Sequence, residues 1–272
     1  MIMSAKSYYR VLTIAGSDSG GGAGIQADLK TISALGCYGM TVITAITAQN
    51  TVAVSAIHKI PVSVIGAQLD AVLSDIGVDA VKIGMLHASE VIHTVASSLH
   101  KYRIQKIVLD PVMVAKSGDK LLRDNAIETL KTELLPLATV ITPNIPEATV
   151  LTGLNISSRW EMENAGSSLI NMGPNAVLIK GGHGAQNDST DCLIRKGEET
   201  LWFEAERIRT ENTHGTGCTL SSAIASFLAK GYSLEDAVGS SKKFMSQAIK
   251  AGADYKLGNG HGPVHHFYST WQ

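Results

Sequence analysis

Short apolar runs rich in Val, Ile and Thr alternate along the chain with longer stretches in which apolar positions recur every three or four residues. This is the pattern of repeated β-α units, whose strands form a parallel sheet with helices packed on its faces. Runs at 9–15, 40–48, 80–85, 106–110, 139–142 and 176–179 predict strands, and stretches at about 24–35, 62–75, 89–101, 124–134 and 158–172 predict helices. Beyond Lys180 the texture changes, because residues 191–196 and 200–203 alternate around Gly197 as a β-hairpin does. Two late helices follow at about 217–230 and 234–251, the second opened by Ser233 with Asp236 as a partial capping box. No linker, low-complexity segment or internal repeat interrupts the series, so one α/β domain over residues 1–272 is expected.

Composition narrows the picture. Hydrophobic residues reach 44% and charged residues only 17%, which suits strands buried on both faces and excludes disorder. Basic residues number 23 and acidic residues 24, a net charge of −1, so no bulk positive field draws the chain to nucleic acid or an anionic membrane. Cys37, Cys192 and Cys218 stand far apart with no Cys-x-x-Cys pair, which points to a reducing, cytoplasmic setting. The first ten residues carry neither the apolar run of a secretory signal nor a transit-peptide pattern. Residues 32–56 carry no charge, but Gly36, Gly39, Gln49, Asn50 and several threonines mark them as a buried strand between turns, not a membrane span.

In an open parallel sheet, ligands gather outside the carboxyl ends of the strands. The chemically unusual residues fall at those ends: 16–24, Gln49-Asn50, Asp110, 144–147 and Lys180-Gly-Gly-His183. The glycine-rich stretch 16–24 fits neither the dinucleotide-binding nor the Walker spacing. It is open to two readings, a floor that lets a flat substrate approach the backbone near Asp28, or a tight turn with Asp28 merely solvated. Asn144 and Glu147, three residues apart at a strand-to-helix junction, suit either a first-turn acid on the helix dipole or a hydrated Mg²⁺, with Asp110 as second acid. His214-Gly-Thr-Gly-Cys218 leads into an apolar helix, so the N–H groups of Gly215, Thr216 and Gly217 can converge on an anion. Cys218 in the first turn is expected to have a lowered pKa and to accept a proton as thiolate; the plainer alternative is a small packed cysteine. Lys180 can reach a phosphate or pair with an acid, whereas His261, His265 and His266 read as a C-terminal segment folding back on the domain. Many of the 26 glycines gather at 16–24, 181–184, 215–217 and 258–262, and in the first three loops they suggest backbone brought close to ligand.

Taken in order, residues 12–28, 42–50, Lys82-Ile-Gly-Met-Leu86, Asp110-Pro-Val-Met113, Thr142-Pro-Asn-Ile-Pro-Glu147, Lys180-Gly-Gly-His183, Asn212–Cys218 and Gly262-Pro-Val-His-His-Phe267 cover almost the whole chain. Together they resemble the hydroxymethylpyrimidine/phosphomethylpyrimidine kinases of the ribokinase-like superfamily. The resemblance implies a three-layer α/β/α sandwich without a large lid, and ATP- and Mg²⁺-dependent phosphorylation of 4-amino-5-hydroxymethyl-2-methylpyrimidine, twice, in thiamine biosynthesis. It implies a pyrimidine pocket of Gln49, Asp28, Met85, Val112, Gly16 and Ala23, and an anion hole of Gly215, Thr216 and Gly217 beside Cys218. Asn144, Lys180 and Gly182 would serve ATP, and Glu147 and Asp110 the metal. Cys218 stands where the sugar kinases carry an aspartate base, and a thiolate base there predicts that Cys218→Ala harms the first phosphorylation more than the second. A homodimer is implied, and the chain length leaves no room for a fused synthase domain. The rivals are a pyridoxal kinase of the same fold, disfavoured by Gln49, and a non-catalytic vitamer-binding protein, disfavoured by the intact phosphate-handling residues.

Overall fold

The computed structural model describes residues 6–113, 124–182 and 188–271. Nine strands form one sheet: β1 (Arg10–Asp18), β2 (Tyr38–Gln49), β3 (Val54–Lys59), β4 (Ala80–Ile83), β5 (Ile107–Leu109), β6 (Val140–Ile141), β7 (Ala176–Ile179), β8 (Asp188–Arg195) and β9 (Leu201–Glu206). Their spatial order is β3-β2-β1-β4-β5-β6-β7-β8-β9. The run from β2 to β7 is parallel, while β3 and β8 run against their neighbours. Because β1 leads outward to β2 and the chain then crosses to β4 on the other side, the strand order reverses between β1 and β4, where α/β sheets open a ligand crevice.

Helices α1 (Gly24–Ala34), α7 (Thr216–Ala229) and α8 (Leu234–Gly252) cover one face, and α2 (Val62–Ala71), α3 (Ser89–Lys101), α4 (Asp124–Thr129), α5 (Ile145–Thr152) and α6 (Arg159–Ile170) the other. Strand residues alternate between two cores. Val11 and Val108 join Ile32, Ile224 and Val238 on one side, while Leu12, Ile14, Ile107 and Leu109 join Leu69, Val95 and Leu169 on the other. At ~1.5–3 kcal/mol per fully buried aliphatic side chain, these two layers are the main source of stability. Among the described residues no helix is long and apolar enough to cross a membrane.

The parallel strands stand where their apolar runs predict them, with two additions. β1 continues three residues past the predicted end, because its pairing to β2 resumes after an irregularity at Gly16 and reaches Asp18 opposite Thr47. Edge strand β3 lacks the alternation that signals a strand, since five of its six residues are exposed. Helix α5 begins at a full capping box in which Asn144 and Glu147 each accept from the other's backbone N–H, both at 2.8 Å. The predicted helix at 62–75 relaxes into a π turn over Val72–Ile76. The C-terminal segment does fold back: Val264 and His266 are buried, and His214 and Pro263 form a parallel bridge.

Among the described residues the bulkiest fully buried side chain is a lysine. Lys82 of β4 has no exposed surface, and its Nζ lies 2.9 Å from both oxygens of the equally buried Asp28 of α1. Asp28 also accepts from Thr13 of β1 at 2.6 Å and Ser222 of α7 at 2.7 Å. Removing one partner strands a charge, so Lys82→Met should cost about 3–5 kcal/mol in urea unfolding, and Lys82→Met combined with Asp28→Leu clearly less. A second prediction concerns His266, whose Nε2 lies 2.9 Å from Thr219 Oγ1. Burial, aided by Lys30 and His265, pushes its pKa from 6.5 to about 4. The unfolded chain therefore binds a proton that the native state refuses between those values, so this stability is complete above pH 6.5 and lost as the pH falls toward 4. His266→Gln should remove roughly 2 kcal/mol of the difference in unfolding free energy between neutral solution and about pH 5.

Candidate active site

A cleft of about 850 Å³ opens at the carboxyl edge of the sheet, across the β1/β4 reversal. Of the residues that the family resemblance assigns to the pyrimidine pocket, the anion hole and the nucleotide and metal sites, all but Asp28 line it. Gly16 and Ala23 come from the loop after β1, Gln49 from the end of β2, and Met85 and Val112 from the segments after β4 and β5. Asn144 and Glu147 follow β6, Lys180 and Gly182 follow β7, and residues 215–218 open α7. His183 and Gly184 lie outside the described residues.

At the middle of the cleft, α7 starts without a side-chain cap. Its N-cap, Gly215, has φ +79°, and a Cβ there would stand 1.9 Å from the carbonyl oxygen of Gly22, so only glycine lets the two loops touch. The first-turn N–H groups of a helix have no intrahelical acceptor and carry the positive end of its dipole, which makes this a site for an anion. Beside Gly217 lie Lys180 and Asp110, joined at 2.8 Å. Thr142 and Ser221 also donate to Asp110, at 3.1 and 3.3 Å. Burial alone would raise Asp110, but Lys180 and Lys82 outweigh it and hold its pKa below the usual carboxylate range. For Lys180, burial is outweighed by Asp110 and Glu147, so the ammonium is held charged.

Glu147 behaves differently. Burial, reinforced by Asp110 and only partly offset by Lys180, pushes its pKa up to about 7. The rise is chiefly a loss of solvent, since the Lys180 charge outweighs that of Asp110, and a cation arriving in the cleft would add to Lys180 in favouring the carboxylate. Two carboxylates and an amide suit Mg²⁺, which keeps several waters and binds through one or two carboxylates together with substrate phosphates. Among the described residues no cluster of three or more His, Cys, Asp or Glu side chains could hold a metal by itself.

Two expectations are corrected. Asp28 does not face the cleft: it lies beneath the floor, its oxygens occupied by Lys82, Thr13 and Ser222. It is neither a substrate contact nor a solvated surface acid. Cys218 does reach the cleft, but its thiol is not activated. Burial, with Asp28 and Asp110 adding to it, outweighs Lys82 and the Gly24 N–H and pushes the pKa up to about 11. Loss of solvent, more than the neighbouring acids, is thus what keeps the proton on this sulfur.

Sequence reasoning gave no role to Asp18 or His214. Asp18 closes the glycine loop by accepting from the N–H groups of Gly20 at 2.8 Å, Gly22 at 3.1 Å and Ala23 at 2.8 Å, and it pairs with His214 Nε2 at 2.9 Å. Burial opposes ionisation of Asp18, but His214 and these N–H groups prevail and lower its pKa. His214 also stands 3.4 Å from the Gln49 amide, whose oxygen accepts from Thr47 at 3.1 Å. An Asp before a glycine run is a known signal for such a turn; its partner nearly two hundred residues on is not readable locally. Gly22 is small because a Cβ there would come within 2.3 Å of the His214 ring. Glycines 22 and 215 therefore bring protein against protein. At the far end of the cleft stand Asp191 and Lys242, paired at 2.6 Å, with Asp191 also accepting from Gly181 N–H at 3.0 Å.

Residues 18–265 match the profile of the phosphomethylpyrimidine kinase family. The chain is 52% identical over 262 residues to the hydroxymethylpyrimidine/phosphomethylpyrimidine kinase of Rhizobium meliloti, covering 96% of this chain and 98% of that one. It is also 52% identical to the thiamine biosynthesis bifunctional protein ThiED of Geobacter sulfurreducens, matching 96% of its own length but only 52% of that longer protein. Among solved structures, an ADP complex of Bacillus subtilis pyridoxal kinase superposes with a TM-score of 0.90 at 38% identity, covering 98% of this chain and 100% of that one. A parallel sheet reversing between β1 and β4, an uncapped helix over the crevice and near-complete coverage at this identity converge: the chain is a kinase that belongs to the phosphomethylpyrimidine kinase family, with the ribokinase-like fold.

Proposed function

We propose that the protein transfers the γ-phosphoryl group of ATP to the hydroxymethyl oxygen of 4-amino-5-hydroxymethyl-2-methylpyrimidine, and a second one to the phosphate of the product, in thiamine biosynthesis. The observation that carries this reading is the meeting, at Gly217, of the α7 N-terminus with the Lys180–Asp110 pair, between a cleft end bearing Gln49 and Met85 and one bearing Asp191 and Lys242. Phosphoryl transfer through a loose transition state asks mainly for alignment and charge neutralisation. The N–H groups of Gly215, Thr216 and Gly217 would hold the moving phosphoryl group, and Lys180 the oxygens it leaves. Asn144, Glu147 and Asp110 are the residues that would hold hydrated Mg²⁺, which when bound neutralises phosphate charge. The attacking oxygen forms the new P–O bond as the bond to the β-phosphate breaks; in the first step the hydroxyl proton passes to an oxygen of the transferred phosphoryl group, and ADP departs.

Gln49 and Met85 suit an aminopyrimidine: the amide offers both a donor and an acceptor, and the thioether an adaptable apolar face. Cys218 stands by the attacking oxygen as a hydrogen-bonding thiol and not as a standing base. We further propose one domain over residues 1–272 acting as a cytoplasmic homodimer. The exposed Ile46, Ile57, Val62 and Val64 near the β2–β3 edge support the pairing of two copies. The likeness to a pyridoxal kinase structure supports a second reading, pyridoxal phosphorylation, against which Gln49 speaks.

Two measurements test this. In a coupled ADP assay the hydroxymethylpyrimidine should be used at least about tenfold more efficiently than pyridoxal, with products one and two phosphates heavier. A preference for pyridoxal, or no ADP with either compound, overturns the assignment. Cys218→Ala should slow both phosphorylations by similar factors of less than about tenfold, the worth of one hydrogen bond. A loss confined to the first step would restore the thiolate base.

A further inference from the structure

The C-terminal segment after α8 touches both walls of the cleft without lining it. On one wall, the N–H groups of Gly260 and His261 donate to the hydroxyl and the carbonyl of Thr51, at 3.2 and 3.0 Å. Thr51 is two residues past Gln49, and a Cβ on Gly260 would stand 2.1 Å from its carbonyl oxygen. On the other wall, His214 N–H donates to the carbonyl of Gly262 at 3.0 Å, one residue before the N-cap of α7. Asn212 reinforces this join, giving its amide hydrogens to the carbonyls of Gly252, Ala253 and Tyr255 at 2.6–3.2 Å. A Cβ on Gly262 would lie 2.1 Å from the Asn212 side-chain oxygen, so the backbone must pass this close. Farther on, His266 meets Thr219, in the first turn of α7, at 2.9 Å.

These contacts have a common geometry. The Gln49 loop and the start of α7 come from opposite ends of the chain and meet directly through the 3.4 Å approach of Gln49 to His214, beside the Asp18–His214 pair and the packing of Gly22 against Gly215 and the His214 ring. Residues 258–266 bridge the same two walls from behind with main-chain hydrogen bonds, and they continue from α8, whose Lys242, Met245 and Ser246 line the far end of the cleft. Main-chain contacts of this kind fix distances more tightly than long side chains, which lose rotamer freedom when held.

We propose that residues 258–266 act as a positioning strap that sets the separation between Gln49 and the anion-binding turn, so that Thr51 and Gly262 govern binding of the acceptor substrate and not of the nucleotide. The inference rests on the assignment of the Gln49 end to that acceptor. Neither residue touches a ligand; each acts through its neighbour, Thr51 through Gln49 and Gly262 through His214.

The test is a KM-against-kcat comparison on the full-length protein with the hydroxymethylpyrimidine and ATP as the two varied substrates. Thr51→Val, which keeps the shape and loses the acceptor for Gly260, should raise the pyrimidine KM about threefold to tenfold, the worth of one neutral hydrogen bond. The ATP KM and kcat should stay within about twofold, and Thr51→Ser should restore the parent value. Gly262→Ala should act in the same direction and more strongly, and thermal unfolding reports separately whether it folds. A pyrimidine KM unchanged in Thr51→Val, or one that rises equally for both substrates alongside a lower melting temperature, overturns the strap. If the parent enzyme itself fails to phosphorylate the pyrimidine, the substrate assignment fails instead.

Discussion

The ion pair between Lys82 and Asp28 is the constraint on which the site is built. Asp28 gathers donors from β1, β4 and α7 while itself lying on α1, so four elements converge on one carboxylate beneath the cleft floor. A buried charge tolerates little error in its surroundings, since each lone pair must find a donor in a fixed place. The reversal of strand order leaves β1 and β4 adjacent, and the pair fastens α7 across that junction. The helix start that faces the cleft is aimed by this fastening. Cys218 sits one turn before Ser222 on the same helix, and its thiol senses the pair as opposing charges, Lys82 drawing its pKa down and Asp28 raising it.

How much of this is legible in the sequence depends on the range of the interaction. The parallel strands, the hairpin and the late helices are local patterns, because burial on both faces leaves a continuous apolar run and a helix leaves its period. Strand β3 was not legible, since an exposed edge strand has no face to mark. Asn144 and Glu147 could be read as cap or as ligand, and the geometry makes them a complete capping box whose acid is also crowded against Asp110. The site residues gathered because parallel strands put their carboxyl ends on one edge, a rule of topology that needs no contacts. Asp28 was misplaced for the complementary reason: strand ends locate an edge but not a depth, and a carboxylate one turn into a helix can face either way.

The reversal of the Cys218 expectation follows the same logic. A helix N-terminus lowers the pKa of a thiol in water, where the dipole acts alone. Here loss of solvent is the largest effect, and together with Asp28 and Asp110 it outweighs the opposing pull of Lys82. Position on a helix is readable from sequence; the charges behind it are contributed by residues 28, 82 and 110, brought together only by the fold.

Helix α7 differs from α5, α6 and α8 in one respect. Those three carry an Asn or Ser side chain that closes their first turn, whereas α7, like α1, α2 and α3, has no side-chain cap and starts at Gly215. A side-chain cap occupies the same N–H groups that an anion would, and with glycine at the N-cap its omission costs only about a few tenths of a kcal/mol. On the proposed function, a phosphate group would serve as a removable cap that completes this turn. A protein built this way reports occupancy in its own cohesion: the first turn of α7 should exchange its amide hydrogens fastest in the free enzyme and slow down as phosphate-bearing ligands fill the cleft.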